Sequence, residues 1–331
     1  MTGPTMAFFS RSPKKINTWP EEIRQIFVVL IIVFLIRTFF FGLYQVPTGS
    51  MEVTMLVGER FFADKFTYLL ASPKRGHIIS LNSPLFEYSD NTVKRLFQEY
   101  VWGPQNLTKR IIGLPGDLVE GKIEEGKPVI YINGIRFDEP YLNKYPLIAV
   151  WRKDPALIAA AARQEAKSLM SQNKLSPEQF EKFLNSKMYR DIVRKSYDPA
   201  VPYDRQPYYR IKESLIVKDQ EGNPILLYPN TIIDEPKNGN EPPADKNYWD
   251  STDVFHVQLG KNQYWLMGDN RLNSGDSRLF GPIDGRLIHG RILFRIFSVD
   301  SDEDWTIIDL LKHPIDFWTR VRWGRFFQWV N

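Results

Sequence analysis

The chain has 331 residues, 43% hydrophobic and 14% aromatic, with a formal charge of +4 and no cysteine. That composition excludes disulfides and thiolate metal sites, and with a charge this modest no basic block suggests nucleic acid. The four histidines, His77, His256, His289 and His313, are scattered and none falls in H-E-x-x-H spacing, so a zinc hydrolase is not expected. The expectation is a fold held by its core alone, with no metal and no other cofactor.

In chain order, residues 1–23 read as a cytoplasmic segment and 24–43 as a membrane anchor. Ile26 to Leu43 reads I-F-V-V-L-I-I-V-F-L-I-R-T-F-F-F-G-L, unbroken from Ile26 to Ile36. Eighteen helical residues rise about 27 Å, close to the hydrocarbon thickness of a bilayer. Arg37 interrupts the run near its end, where a guanidinium can snorkel to headgroups. No small-residue cleavage site follows Phe39-Phe40-Phe41, so the segment reads as an uncleaved anchor rather than a signal peptide. Arg11, Lys14, Lys15 and Arg24 precede it and no Lys or Arg stands from Tyr44 to Thr54, which keeps the N-terminus in the cytoplasm and the rest outside.

Residues 44–144 and 251–300 read as two parts of one antiparallel β core. Short strand patterns recur around Phe61–Ala63, His77–Leu81, Lys109–Leu114, Val254–Leu259, Gln263–Met267 and Arg291–Val299. Pro115-Gly116-Asp117 marks a turn, and Asn133-Gly134 a hairpin. Between the parts, residues 145–250 read as a partly helical insertion. Asp154-Pro155 starts one helix and Ser176-Pro177-Glu178-Gln179 a second, whose Phe180, Phe183, Leu184 and Met188 form a stripe expected to pack on the β core. Residues 301–331 end in an aromatic and basic tail, W-T-R-V-R-W-G-R-F-F-Q-W-V-N, suited either to anionic headgroups or to the protein's own β surface.

Three segments stand out: P-T-G-S-M-E-V-T at Pro47–Thr54, K-R-I-I-G-L-P-G-D at Lys109–Asp117, and G-D-N-R-L-N-S-G-D-S-R at Gly268–Arg278. Taken alone, Ser50 is a turn residue, Lys109 a strand end, and Asp276 with Arg278 a surface pair worth under about 1 kcal/mol. Their joint occurrence in this order, after an anchor, reverses that reading. Together with I-R-T-F-F-F and R-G-H-I-I-S-L, they resemble the type I signal peptidases, membrane-bound Ser/Lys proteases that remove signal peptides from exported proteins. The resemblance runs from the anchor to about Ser298, apart from the insertion. It departs at Val53, Leu272 and His77, where the family usually has Pro, Asp and Asp.

The residue types suit that chemistry. A serine hydroxyl is a poor nucleophile until a base takes its proton, and a lysine near its ordinary pKa of about 10.4 is almost wholly protonated at pH 7. The site must therefore lower that pKa, which burial does. The resemblance implies Ser50 as nucleophile and Lys109 as general base, with Ser274 hydrogen-bonding the amine. It implies an oxyanion hole from the Ser50 N–H and the Thr48 hydroxyl, and Asp276, Arg278, Asp269 and Asn270 as structural support. It also implies two shallow apolar pockets for small residues before the cut, lined by Val46, Pro47, Met51 and Thr108.

The partners so implied are signal-peptide-bearing precursors, membrane lipid and the secretion translocon, with the enzyme in the bacterial inner membrane. Two other readings stay open from the sequence. One is an anchored binding or chaperone protein without activity, against which the intact Ser50 and Lys109 speak. The other is a maturation protease dedicated to one partner.

Overall fold

The structure, a computed structural model, describes residues 19–100, 103–104, 106–172, 174–228, 246–301 and 306–330. Arg11, Lys14 and Lys15, which carry most of the orientation argument, lie outside the described residues.

The main sheet has eight strands and interleaves both ends of the chain. From edge to edge its path runs Phe41–Gln45, Arg60–Asp64, Ile288–Phe297, Ile78–Asn82, Asn106–Gly113, Gln263–Met267 and Ile283–Asp284, with Gln328–Trp329 also paired to Ile288–Phe297. Every pairing is antiparallel. Alternation explains the strand Arg60–Asp64, which buries Phe61 and Ala63 and leaves its other residues half-buried. The strand Ile78–Asn82 is buried along its whole length, as befits a central position.

A second, four-stranded sheet joins Phe255–Gln258, Leu118–Glu124, Lys127–Ile132 and Ile135–Arg136. Its last hairpin turns at Asn133 and Gly134, both at positive φ, as the Asn-Gly pair predicts. Ile112, Val119, Ile130, Phe255 and Trp265 form the core between the sheets. The antiparallel, mainly β class expected from the strand patterns is therefore the observed one.

Residues 147–227 carry a third small sheet, Leu226–Leu227, Leu147–Trp151 and Ile192–Ser196, which the sequence reading did not anticipate. Two helices, Pro155–Ser171 and Phe180–Arg190, interrupt it, the first capped by Asp154 as expected. The apolar stripe does not lie on the β core. Phe180, Phe183 and Leu184 pack on Ala162 and Ala166 of the preceding helix, whose small side chains let the pair approach closely. Residues 229–245 of the expected polar stretch lie outside the described residues.

The N-terminal helix spans Trp19–Phe39, and the chain enters a strand at Phe41. The expected span to Leu43 is thus cut short. Any 18-residue stretch within this helix also contains at least three of Glu21, Glu22, Arg24 and Arg37. Among the described residues, no helix is long and apolar enough to cross a membrane.

The C-terminal tail folds back on the protein. Val330 is buried with Phe61 and Ile292, and Arg325 binds the buried Glu59 at 2.6 Å alongside Arg295. Trp318, Trp323, Phe327 and Trp329 still face outward, each more than half exposed.

Candidate active site

Lys109 sits in the strand Asn106–Gly113, opposite Ile79 of the neighbouring strand. Ile111 and Ile112, just beyond it, are fully buried. The apolar run that makes this segment a strand thereby draws the amine inward, and Lys109 is only 3% exposed. Nζ lies 2.9 Å from Ser50 Oγ and donates to Thr108 O at 3.2 Å. Burial lowers the lysine pKa to about 8, with Asp276 pulling it up, Arg278 pushing it down and Asp269 pulling up again. An amine of that pKa is partly neutral near pH 7 and can accept the Ser50 proton.

Ser50 lies in a tight turn, Gly49–Met51, buried under the loop that starts at Gly268. Asn270 holds the turn twice: its N–H donates to Ser50 O at 3.1 Å and its Nδ2 to Gly49 O at 2.9 Å. Two glycines make the approach possible. A Cβ on Gly268 would stand 2.4 Å from Ser50 O, and one on Gly49 would stand 2.8 Å from Glu52 Oε1.

Asp269 faces away from the dyad toward Arg110, the residue after Lys109. The pair is bidentate at 2.8 and 2.7 Å and almost wholly buried. Thr54 Oγ1 adds a bond to Asp269 at 2.6 Å, and the guanidinium lies over the Tyr141 ring. Asp269 therefore links the lysine strand, the segment after Ser50 and its own loop.

The other expected residues fall as follows. The buried Ser274 Oγ makes no hydrogen bond to the Lys109 amine, whose contacts go to Ser50 and Thr108; the hydroxyl acts on the Asp276 carboxyl instead. Asp276 and Arg278 are a buried pair at 2.9 Å, and Arg278 also binds Asp253 at 2.6 Å. Burial pushes the Asp276 carboxyl up, but Arg278 and the hydrogen bonds around it bring it net below the ordinary range. Thr48 and Pro47 are exposed beside Ser50, and Thr108 is half-buried. Val46 and Met51 are buried in the cluster with Met55 and Ile78.

No group of three or more His, Cys, Asp or Glu that could hold a metal occurs among the described residues. An apolar hollow of about 600 Å³ lies in the insertion, lined by Trp151, Met188, Ile192 and Val217 among others, and shares no residue with the dyad. Of the departures, Leu272 enters through its backbone, accepting from Arg194 at 2.9 Å. His77 bonds the Tyr68 hydroxyl at 2.8 Å and is pushed down to about 4, by burial first and then by Arg291 and Lys74. Val53 follows a cis peptide bond from Glu52.

Sequence reasoning missed Glu52 and its partners. Two residues beyond Ser50, Glu52 is fully buried and bound by Ser196 and Tyr209 from the insertion. Burial raises its pKa, with the Tyr209 and Ser196 bonds working against that. Its partners stand 144 and 157 positions away, so no local pattern announces them.

The model of the family described as "Signal peptidase, peptidase S26" matches residues 19–297. A signal peptidase I P of Bacillus subtilis subsp. natto is 36% identical over 136 residues, 41% of this chain and 62% of that protein. A signal peptidase I of Buchnera aphidicola subsp. Acyrthosiphon pisum (strain APS) is 26% identical over 288 residues, 86% of this chain and 77% of that protein. A solved signal peptidase I from Enterococcus faecalis V583 aligns at 17% identity and a TM-score of 0.26 over 67% of this chain and 97% of that one, a likeness too loose to argue from.

Proposed function

The chain belongs to the signal peptidase family, peptidase S26, and on that premise we propose that it is a serine endopeptidase that removes signal peptides from exported precursors. The observation that carries the reading is the buried Lys109 amine, 2.9 Å from Ser50 Oγ and with its pKa lowered to about 8.

In this reading Ser50 Oγ attacks the scissile carbonyl while Lys109 Nζ takes its proton. The Ser50 N–H and the exposed Thr48 hydroxyl receive the oxyanion. Lys109 then protonates the leaving amine, the C–N bond breaks, and an acyl ester on Ser50 remains. Water attacks that ester, again giving its proton to Lys109, and the acid product leaves with Ser50 restored. Asn270 and Asp269 hold the turn and the strand in register through these steps.

The membrane enters through the N-terminal helix. All eleven apolar residues from Ile26 to Ile36 are exposed, each by more than 40%, an arrangement that water penalises and lipid does not. We take this helix as the anchor in the bacterial inner membrane, with the catalytic part on the outer face where the translocon delivers precursors. The exposed Trp318, Trp323 and Trp329 are side chains of the kind that sit at a membrane interface.

The test is cleavage of a secretory precursor bearing an Ala-x-Ala site by full-length protein in detergent, with products identified by mass spectrometry. Cutting after that site by the parent and by neither Ser50→Ala nor Lys109→Ala supports the reading. Activity surviving in Lys109→Ala breaks the dyad. A precursor with a bulky residue before the cut should resist, and equal processing of both sinks the small-pocket specificity.

A further inference from the structure

The inserted segment reaches the nucleophile through one side chain. Glu52 is 0% exposed, and a carboxylate that deep is unfavourable unless its lone pairs are filled. Ser196 Oγ donates to its Oε2 at 2.7 Å, Ser196 N donates to the same oxygen at 3.2 Å, and the Tyr209 hydroxyl donates to Oε1. All three donors belong to the insertion.

These bonds close a ring around the nucleophile. Asn143 Nδ2 donates to Ser196 Oγ at 2.9 Å, while Asn143 N donates to Asp269 O at 3.0 Å. Asn270, next in the chain, donates to Gly49 O and Ser50 O. The ring thus passes from Glu52 through Ser196, Asn143 and Asp269–Asn270 to Ser50, and back along the chain to Glu52. Tyr209 pins the far end of the same loop, since its hydroxyl accepts from Val57 N at 3.1 Å. The short turn also folds onto the carboxylate, because a Cβ on Gly49 would meet Glu52 Oε1.

We infer that Glu52 is a positioning residue for Ser50, and that the insertion supports catalysis by gripping its carboxylate through Ser196 and Tyr209. This rests on Ser50 being the nucleophile. The ring sets where Ser50 Oγ stands relative to Lys109 Nζ, and a misplacement of about 1 Å in such a pair costs on the order of a hundredfold in rate. No hydrogen bond joins Ser196 or Tyr209 to Lys109; each makes one further bond, with Asn143 Nδ2 and with Val57 N, and Glu52 is the partner they share.

The experiment compares full-length parent, Glu52→Gln, Tyr209→Phe and the double variant in detergent. It reads kcat and KM on an Ala-x-Ala precursor, and the rate at which p-nitrophenyl acetate acetylates Ser50, followed by intact mass. Both single variants should lower kcat and acetylation about tenfold or more with KM within twofold. The double variant should be no slower than the slower single, because both act on one contact. Tyr209→Phe keeps the ring in its apolar cluster and so tests the idea even where Glu52→Gln fails to fold.

Unchanged kcat with only a lower melting temperature would make Glu52 mere packing and overturn the inference. A defect carried by KM, or multiplicative losses in the double variant, overturns it equally. If the parent is acetylated on Ser50 yet leaves the precursor whole, the signal-peptide reading fails while the acetylation rates still decide the role of Glu52. A parent that is not acetylated on Ser50 defeats both.

Discussion

Lys109 Nζ and Ser50 Oγ stand 2.9 Å apart although 59 positions separate them in the chain. The contact exists because Lys109 is held in the main sheet while Asn270 draws the Ser50 turn down beside it. Each partner is supplied by a different element, the strand Asn106–Gly113 and the turn Gly49–Met51.

Activity should follow the Lys109 amine. With the neutral amine as the proposed base, kcat/KM should rise about tenfold per pH unit below pH 8 and level off above it. A pH–rate profile flat from pH 6 to 9 would exclude Lys109 as the titrating base.

The same burial should cost stability. The unfolded chain holds the lysine proton up to its ordinary 10.5, whereas the folded site releases it near 8. Below pH 8 the penalty is therefore in full force, and it is relieved as pH rises from 8 to 10.5. Lys109→Met should be more stable than the parent at pH 7 by up to about 3 kcal/mol, the lead fading toward pH 10.5. Urea unfolding at several pH values reads the difference; a lead that grows with pH would contradict the sign.

Gly268→Ala should damage the site directly. Its new Cβ would lie 2.4 Å from the Ser50 backbone oxygen, which cannot swing aside as a flexible side chain would. Overpacking of this kind costs about 1–3 kcal/mol, and kcat should fall about tenfold or more. Wild-type turnover in a folded Gly268→Ala protein would mean that the loop does not set the Ser50 position.

The Arg110–Asp269 pair should behave as a buried ion pair. Arg110→Met leaves Asp269 unpaired and should lower stability by about 3–5 kcal/mol. Replacing both, as Arg110→Met with Asp269→Leu, should recover part of that loss. Denaturant unfolding of the two variants measures it, and an equal loss in both would point to Thr54 and Tyr141 as the main partners.

Membrane attachment should depend on the exposed helix. Leu30→Lys together with Val33→Lys places two charges in the apolar run, each costing about 2.5–3.5 kcal/mol at a helix centre in lipid. The variant should leave the membrane fraction on alkaline extraction where the parent stays. Retention of both would move attachment to the aromatic tail.

Much of the site is legible in the chain because its chemistry is local. A hydroxyl in P-T-G-S-M, a lysine at the head of an apolar strand, and a Gly-Asp-Asn loop each announce themselves within a few residues. The strands were legible for the same reason, since alternation over five residues encodes which face is buried. The packing of the insertion's helices was not: the stripe shows that a face is apolar, not that Ala162 and Ala166 receive it. The end of the N-terminal helix was not legible, because Phe41–Leu43 is as apolar as the helix before it and only pairing with Phe62–Asp64 turns it into a strand.

The sequence by itself determined the β class, the order of the motifs and the residue types able to carry an acyl transfer, since these depend on short-range periodicity and intrinsic reactivity. Only the tertiary structure decided which buried charge meets which partner. Asp269 pairs with Arg110 across 159 positions, Glu52 is held by Ser196 across 144, and the Lys109 amine bonds Ser50 and Thr108. Such choices follow from the need to fill every lone pair removed from water, a condition that the packed molecule satisfies as a whole and no local segment can state.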